Sequence, residues 1–270
     1  MEMNYKELAD TGVQISEIGL GTWNYRGWVK PLQRGIELGA TFIDTAEGYY
    51  TEDIVGKAIR GQRNNVFIAT KVSGRHLSYR DVLRSAEESL YKLGTDVIDL
   101  YQIHWPNPAY PLKETMKAMQ KLADDGLIKY IGVSNFSLDE MKEAQYYLNN
   151  HKIVSNQVLY NLNHREIEKD LITYCDTNKI TIIAYTPLDS GNLTKKGLLN
   201  KKSNEVLEQV AASEGKTMSQ VALNWCNSRH CVVSIPKSDS VERTEENCGG
   251  SGWKLQKENI DKLDQAFSSN

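Results

Sequence analysis

The sequence predicts an α/β fold, a (β/α)8 TIM barrel, on three observations. Eight short β-branched runs alternate with segments of helical period along the chain. No linker, low-complexity stretch or shift of composition interrupts them, so residues 1–270 read as a single domain. The length, 270 residues with 40% apolar residues, suits one large core and matches the roughly 250 residues such a barrel needs.

In chain order, EIGLGTW (17–23) leads into a helix near residues 30–38, TFIDTA (41–46) into EDIVGKAIRG (52–61), and VFIATKV (66–72) into SYRDVLRSAEESLYKLG (78–94). VIDLYQIH (97–104) precedes PLKETMKAMQKLADDG (111–126), and YIGVSN (130–135) precedes LDEMKEAQYYL (138–148). IVSNQVLY (153–160) precedes EIEKDLITYCDTNK (166–179), TIIAYTP (181–187) precedes NEVLEQVAASEG (204–215), and VVSIPKS (232–238) precedes a final short helix. Ser78 and Ser137 are suited to cap helix N-termini, Pro111 to a first turn, and Gly94 and Gly126 to helix stops. The residues ahead of the first run are expected to form a β-hairpin closing the bottom of the barrel. A doubly wound open sheet would also alternate strands and helices, but no GxGxxG follows the first run. The glycine-rich CGGSGW (248–253) reads as a turn leaving a helix.

A net charge of -3, with both signs spread along the chain, offers neither a basic face for nucleic acid nor a polybasic tail for a membrane. No apolar signal core and no run of about eighteen apolar residues occurs, which points to the cytoplasm. Cys175, Cys226, Cys231 and Cys248 are dispersed and read as reduced structural thiols; the five histidines are equally scattered, so no metal site is expected. The expected partner is a small molecule, and the chain is expected to be a monomer or a weak homo-oligomer.

Three of the runs end at or beside a residue suited to proton chemistry: Asp44, Lys71 and His104, with Tyr49 five residues after Asp44. In a parallel barrel the C-terminal strand ends share one mouth, so these four are expected to meet there. Singly, Asp44 reads as a turn residue and Tyr49 as packing. Lys71 is harder to explain that way, because a lysine ending an apolar strand is buried and buried lysines are paired.

The segments GLGTW (19–23), FIDTAEGY (42–49), IATK (68–71), LYQIHWP (100–106), IKYIGVSNF (128–136), NQVLYN (156–161), AYTPL (184–188) and IPKSDSVERTEEN (235–247) occur one per barrel unit. As an ordered set they resemble the aldo-keto reductase superfamily from near one end of the chain to the other. The resemblance implies an NADPH-dependent oxidoreductase that reduces an aldehyde or ketone to an alcohol, with Asp44, Tyr49, Lys71 and His104 as the catalytic tetrad. A carbonyl receiving hydride gathers negative charge on oxygen, and Tyr49 is the implied proton donor. A free phenol has a pKa of about 10, so Lys71 is expected to lower it, with Asp44 holding the ammonium and a neutral His104 orienting the carbonyl.

By the same resemblance, Ser134, Asn135 and Gln157 fix the nicotinamide carboxamide and Tyr185 stacks on its ring. Lys237, Ser238 and Arg243 hold the 2'-phosphate, which favours NADPH over NADH, and Glu246 and Asn247 hold adenine. Gly21, Thr22, Trp23, Asp44, Thr186, Leu188, Ser190, Asn192 and Ile235 complete the cofactor set. Trp23, Tyr49, Tyr50, His104 and Trp105 are expected to line the substrate pocket. Tyr50 departs from the family pattern, which has glycine after the catalytic tyrosine. The stretch DKLDQAFSSN (261–270) is read as a tail after the last helix, too short to cover the pocket, so small aldehydes, α-dicarbonyls or keto sugars are the expected substrates. Alternatives are an NADPH-binding regulatory subunit, a Schiff-base aldolase using Lys71, and a purely structural barrel.

Overall fold

The computed structural model describes residues 2–194 and 202–268, and places ten strands and ten α-helices within them. β1 (Tyr5–Glu7) and β2 (Gln14–Ser16) pair as an antiparallel hairpin. They are followed by β3 (Leu20–Gly21), α1 (Val29–Glu37), β4 (Phe42–Asp44), α2 (Glu52–Ala58), β5 (Phe67–Val72), α3 (Tyr79–Leu93), β6 (Ile98–Ile103), α4 (Leu112–Asp124), β7 (Ile128–Ser134) and α5 (Leu138–Tyr146). Then come β8 (Ile153–Leu159), α6 (Leu171–Thr177), β9 (Thr181–Tyr185), α7 (Lys202–Glu214), α8 (Met218–Asn227), β10 (Val232–Ser234), α9 (Val241–Cys248) and α10 (Lys257–Ala266).

Strands β3 to β10 lie side by side in chain order with every pairing parallel, the (β/α)8 arrangement that the alternation predicts. The first and last strands meet through parallel bridges between Ile18 and Ser234 and between Gly21 and Lys237. Gly19 N donates to Ser234 O at 2.8 Å and Gly21 N to Pro236 O at 3.1 Å. A Cβ on Gly21 would lie 2.6 Å from the Ile235 carbonyl oxygen, so this closure requires glycine there.

The hairpin closes the N-terminal end of the barrel. Leu8 and Ile15 pack inside it with Phe42, Phe67, Leu100, Ile183 and Val233, while Ala9 N donates to Thr181 Oγ1 at 2.9 Å and Phe42 N to Ser16 Oγ at 3.0 Å. A second, larger core fills the layer between strands and helices. The C-terminal strand ends form the opposite mouth, the face on which barrel chemistry gathers.

Local signals explain most helix limits. Ser78 accepts from Asp81 N, Ser137 forms a capping box with Glu140, and Gly94 and Gly126 take positive φ of 64° and 74° after α3 and α4. Pro111 immediately precedes α4. Three expectations differ from the structure. Residues 166–179 are not one helix: a 3-10 turn at Glu166–Lys169 gives way to α6 at Asp170, whose φ of -148° breaks the run. Helix α8 has no counterpart in the sequence reading, because it is buried on nearly every side and so shows no apolar stripe. The supposed tail is largely α10, held by Lys257–Asp261 and Lys262–Glu258 pairs on its surface and by buried Leu263. No helix among the described residues is long and apolar enough to cross a membrane.

Candidate active site

The four strand-end residues converge as the parallel topology requires. β4 ends at Asp44, β5 carries Lys71 next to last, and His104 follows β6. Tyr49 closes a 3-10 turn, Glu47–Tyr49, after β4. Lys71 Nζ donates to Asp44 Oδ1 at 2.9 Å, Asp44 Oδ2 at 2.7 Å and Thr45 O at 2.8 Å. Both side chains are essentially inaccessible, Lys71 at 0% and Asp44 at 1%. Gln157 Nε2 donates to Asp44 Oδ1 at 2.7 Å, so the carboxylate is satisfied from two sides.

Above this pair, the Tyr49 hydroxyl lies 3.3 Å from His104 Nε2, with the two rings edge to face at 5.3 Å. Lys71 Nζ sits 4.9 Å from the centre of the Tyr49 ring. Glu47 anchors the turn that carries Tyr49: its carboxylate accepts from Ser73 N at 2.9 Å and lies 2.5 Å from His76 Nδ1. Ser73 is two residues beyond Lys71, so this contact ties the Tyr49 turn to the end of β5. Thr22, Thr45 and Thr51 share a buried hydroxyl chain, Thr22 to Thr51 and Thr45 to Thr51 both 3.0 Å, and Thr22 Oγ1 donates to Asp44 O at 2.9 Å. The sequence alone does not single out Glu47, which lies inside FIDTAEGY, or Thr51, which falls between that segment and α2, because their contacts to Ser73, Thr22 and Thr45 arise only in the fold.

The electrostatics correct one expectation. Lys71 does not lower the Tyr49 phenol; burial pushes it up, and the Asp44 carboxylate adds to the rise. The reason is that the Lys71 charge is matched by Asp44 and its three donors are all engaged. Tyr49 therefore stays protonated throughout the neutral range, which is the form an acid needs. Burial also pulls the Lys71 ammonium down from its usual value, opposed by Asp44.

His104 is pushed down to about 4 by burial and by the Lys71 charge, so it is neutral near pH 7. Its usual value is about 6.5, so between roughly pH 6.5 and 4 the unfolded chain binds a proton that the folded chain refuses. This contribution to stability is complete above pH 6.5 and falls away as the pH drops toward 4. The acid limb of a kcat/KM profile that depends on neutral His104 is accordingly expected near pH 4; a limb near 6.5 would place the imidazole in water.

A cavity of about 1140 Å³ opens over these groups. Asp44, Tyr49, His104, Ser134, Asn135, Gln157 and Tyr185 line it, and so do Lys237, Arg243, Glu246 and Asn247. Gly21, Thr22, Trp23, Trp105, Thr186, Leu188, Ser190 and Ile235 line it as well. The Tyr185 hydroxyl donates to Asn135 Oδ1 at 2.9 Å, Asn135 Nδ2 to His104 O at 3.0 Å, and Ser134 Oγ to Gln157 O at 2.9 Å. Ser219 from α8 also lines the cavity, and was invisible in the sequence because its helix was.

Three expected members fall outside the lining. Ser238 Oγ donates to Ser240 O, and Asn192 lies beyond the lining with its carbonyl accepting from Asn204 Nδ2. Tyr50 does not join the pocket: it is 85% exposed, its backbone at φ 58°, ψ 33°. That left-handed conformation is strained for a residue with a Cβ by about 1–2 kcal/mol, and glycine is at ease there. Tyr50→Gly is therefore expected to leave stability within about 1 kcal/mol of the parent or slightly above it, whereas glycine elsewhere destabilises. Denaturant unfolding measures this, and turnover of a small substrate is expected to be unchanged.

The size and donor set of the cavity suit a dinucleotide: amides and an aromatic ring at the catalytic end, cations some way off for a phosphate. A family model described as the Aldo/keto reductase family matches residues 17–267. The chain is 35% identical over 266 residues to methylglyoxal reductase YeaE of Escherichia coli, spanning 94% of this chain and 92% of that protein. It is 36% identical over 261 residues to glyoxal reductase of Bacillus subtilis, spanning 94% and 89%. Among solved structures, an aldo-keto reductase from Klebsiella pneumoniae in complex with NADPH superposes with a TM-score of 0.90 at 33% identity, covering 100% of this chain and 97% of that one.

Proposed function

We propose, for a chain that belongs to the aldo/keto reductase family, that it is an NADPH-dependent reductase of small carbonyl compounds, with α-oxoaldehydes as the foremost substrates. The observation that carries this reading is the Tyr49 hydroxyl lining the cavity, 3.3 Å from His104 Nε2 and beside a buried, fully engaged Lys71–Asp44 pair. Bound NADPH would supply hydride to the carbonyl carbon.

The protein's part is acid catalysis and positioning. The substrate oxygen sits between Tyr49 and His104; Tyr49 releases its proton to that oxygen, and the imidazole N–H steadies the growing charge. Lys71 lies 4.9 Å from the centre of the phenol ring, and Asp44 holds its ammonium charged and in place there, so the pair fixes the floor beneath Tyr49. Asn135, Ser134 and Gln157 would hold the carboxamide so that one ring face meets the substrate, and Tyr185 would pack on the other. Trp23 and Trp105, both partly exposed, frame an open mouth suited to small substrates.

A Schiff-base aldolase would need a Lys71 amine free to attack a carbonyl. Lys71 Nζ instead gives three hydrogen bonds and has no exposed surface, which favours the reductase. Initial rates with methylglyoxal, glyoxal and simple ketones, each with NADPH and NADH, test the reading. The α-oxoaldehydes are expected to give the highest kcat/KM. Absence of cofactor oxidation with every carbonyl would favour a regulatory role.

A further inference from the structure

The segment that would grip the 2'-phosphate contains an acid that opposes the task. We propose that Asp239 is a specificity-determining residue that weakens selection for the 2'-phosphate, leaving the chain able to use NADH as well as NADPH. This rests on the cofactor reading above and concerns one end of the same cavity.

Lys237 and Arg243 both line that end. The Lys237 ammonium is already paired with Asp239 Oδ2, whereas Arg243 makes no ion pair among the described residues. The other carboxylate oxygen of Asp239 accepts from Arg26 N at 2.7 Å, so the group is fixed on both sides and does not swing clear. Burial works against its charge, yet the Arg26 amide and Lys237 hold its carboxyl below the usual carboxylate range, and it is negative at neutral pH. The loop before α1 packs over it, since a Cβ on Gly27 would lie 2.7 Å from Asp239 O.

A 2'-phosphate arriving at Lys237 therefore meets a carboxylate already bound to the same ammonium. It must share or displace that partner, and it experiences like-charge repulsion while doing so. A 2'-hydroxyl meets no such opposition, because it can donate to the carboxylate, as the ribose hydroxyls of NAD do to acidic residues in other folds. Arg243 remains open to the phosphate and supplies the selection that persists.

Calorimetric titration with 2',5'-ADP and 5'-ADP isolates this end from the chemistry. The parent is expected to favour 2',5'-ADP only modestly. In Asp239→Asn, which keeps an acceptor for Arg26 N, 2',5'-ADP is expected to bind about tenfold tighter or more, with 5'-ADP unchanged or weaker. Asp239→Ser, checked for folding by thermal unfolding, is expected to move the ratio in the same direction. If either folded variant binds 2',5'-ADP as the parent does or more weakly, Asp239 merely orients Lys237 and the proposal is overturned. If the parent binds neither nucleotide, the cofactor reading itself fails, and this inference with it.

Discussion

Lys71→Met is expected to destabilise the protein by about 3–5 kcal/mol and to abolish measurable turnover. The substitution keeps the aliphatic stem but removes the cation from a site where both partners are almost wholly inaccessible. Asp44 is left with Gln157 Nε2 as its side-chain donor among the described residues, 2.7 Å away, and is an uncompensated carboxylate in the barrel interior. Adding Asp44→Asn removes that charge and is expected to return much of the lost stability, because a neutral pair costs less to bury than a lone ion. Activity is not expected to return, since no cation then faces the Tyr49 ring. Urea unfolding of the two single variants and the double variant, beside their turnover, measures both effects. Equal stability of Lys71→Met and the parent would mean that the pair contributes nothing to the fold.

Tyr49→Phe is expected to slow the chemical step by about 10²–10⁴-fold, the usual weight of a positioned general acid. The ring remains, so its edge-to-face contact with His104 and its place over Lys71 survive, and stability should change little. Affinity for NADPH is expected to hold, because the residues at the far end of the cavity are untouched. The separation matters: a loss of kcat with unchanged cofactor affinity assigns Tyr49 to proton transfer, while a loss confined to KM would assign it to substrate binding. Near-normal kcat would move the acid elsewhere, with His104 the neighbouring candidate.

Much of the barrel was legible because its signals are local. Each β-run ends in a turn, helices such as α3 and α5 carry serine caps, and the strand-end positions of Asp44, Lys71 and His104 follow from chain order and parallel pairing alone. What escaped had either no periodicity or no local cause. Helix α8 lacks a polar face, and with it went Ser219 at the cavity edge. The protonation of Tyr49 depends on how completely Asp44 matches the Lys71 charge, a matter of a few ångströms between residues 27 positions apart. The outward turn of Tyr50 is a backbone property, its left-handed φ, that a tyrosine in the sequence gives no reason to expect. The Lys237–Asp239 pair was in plain sight as PKSD, but only the fold shows both oxygens of the acid engaged.

The most direct test of carbonyl reduction at this site is isotopic. With NADPH deuterated at the transferred position of C4 and methylglyoxal in ordinary water, the alcohol formed is expected to carry one deuterium on the former carbonyl carbon. With unlabelled NADPH in heavy water, that carbon is expected to carry none, since the Tyr49 proton goes to oxygen. Solvent deuterium on the carbon, or product formed without label from the cofactor, would contradict hydride transfer and remove the role assigned to Tyr49, Lys71 and His104 together.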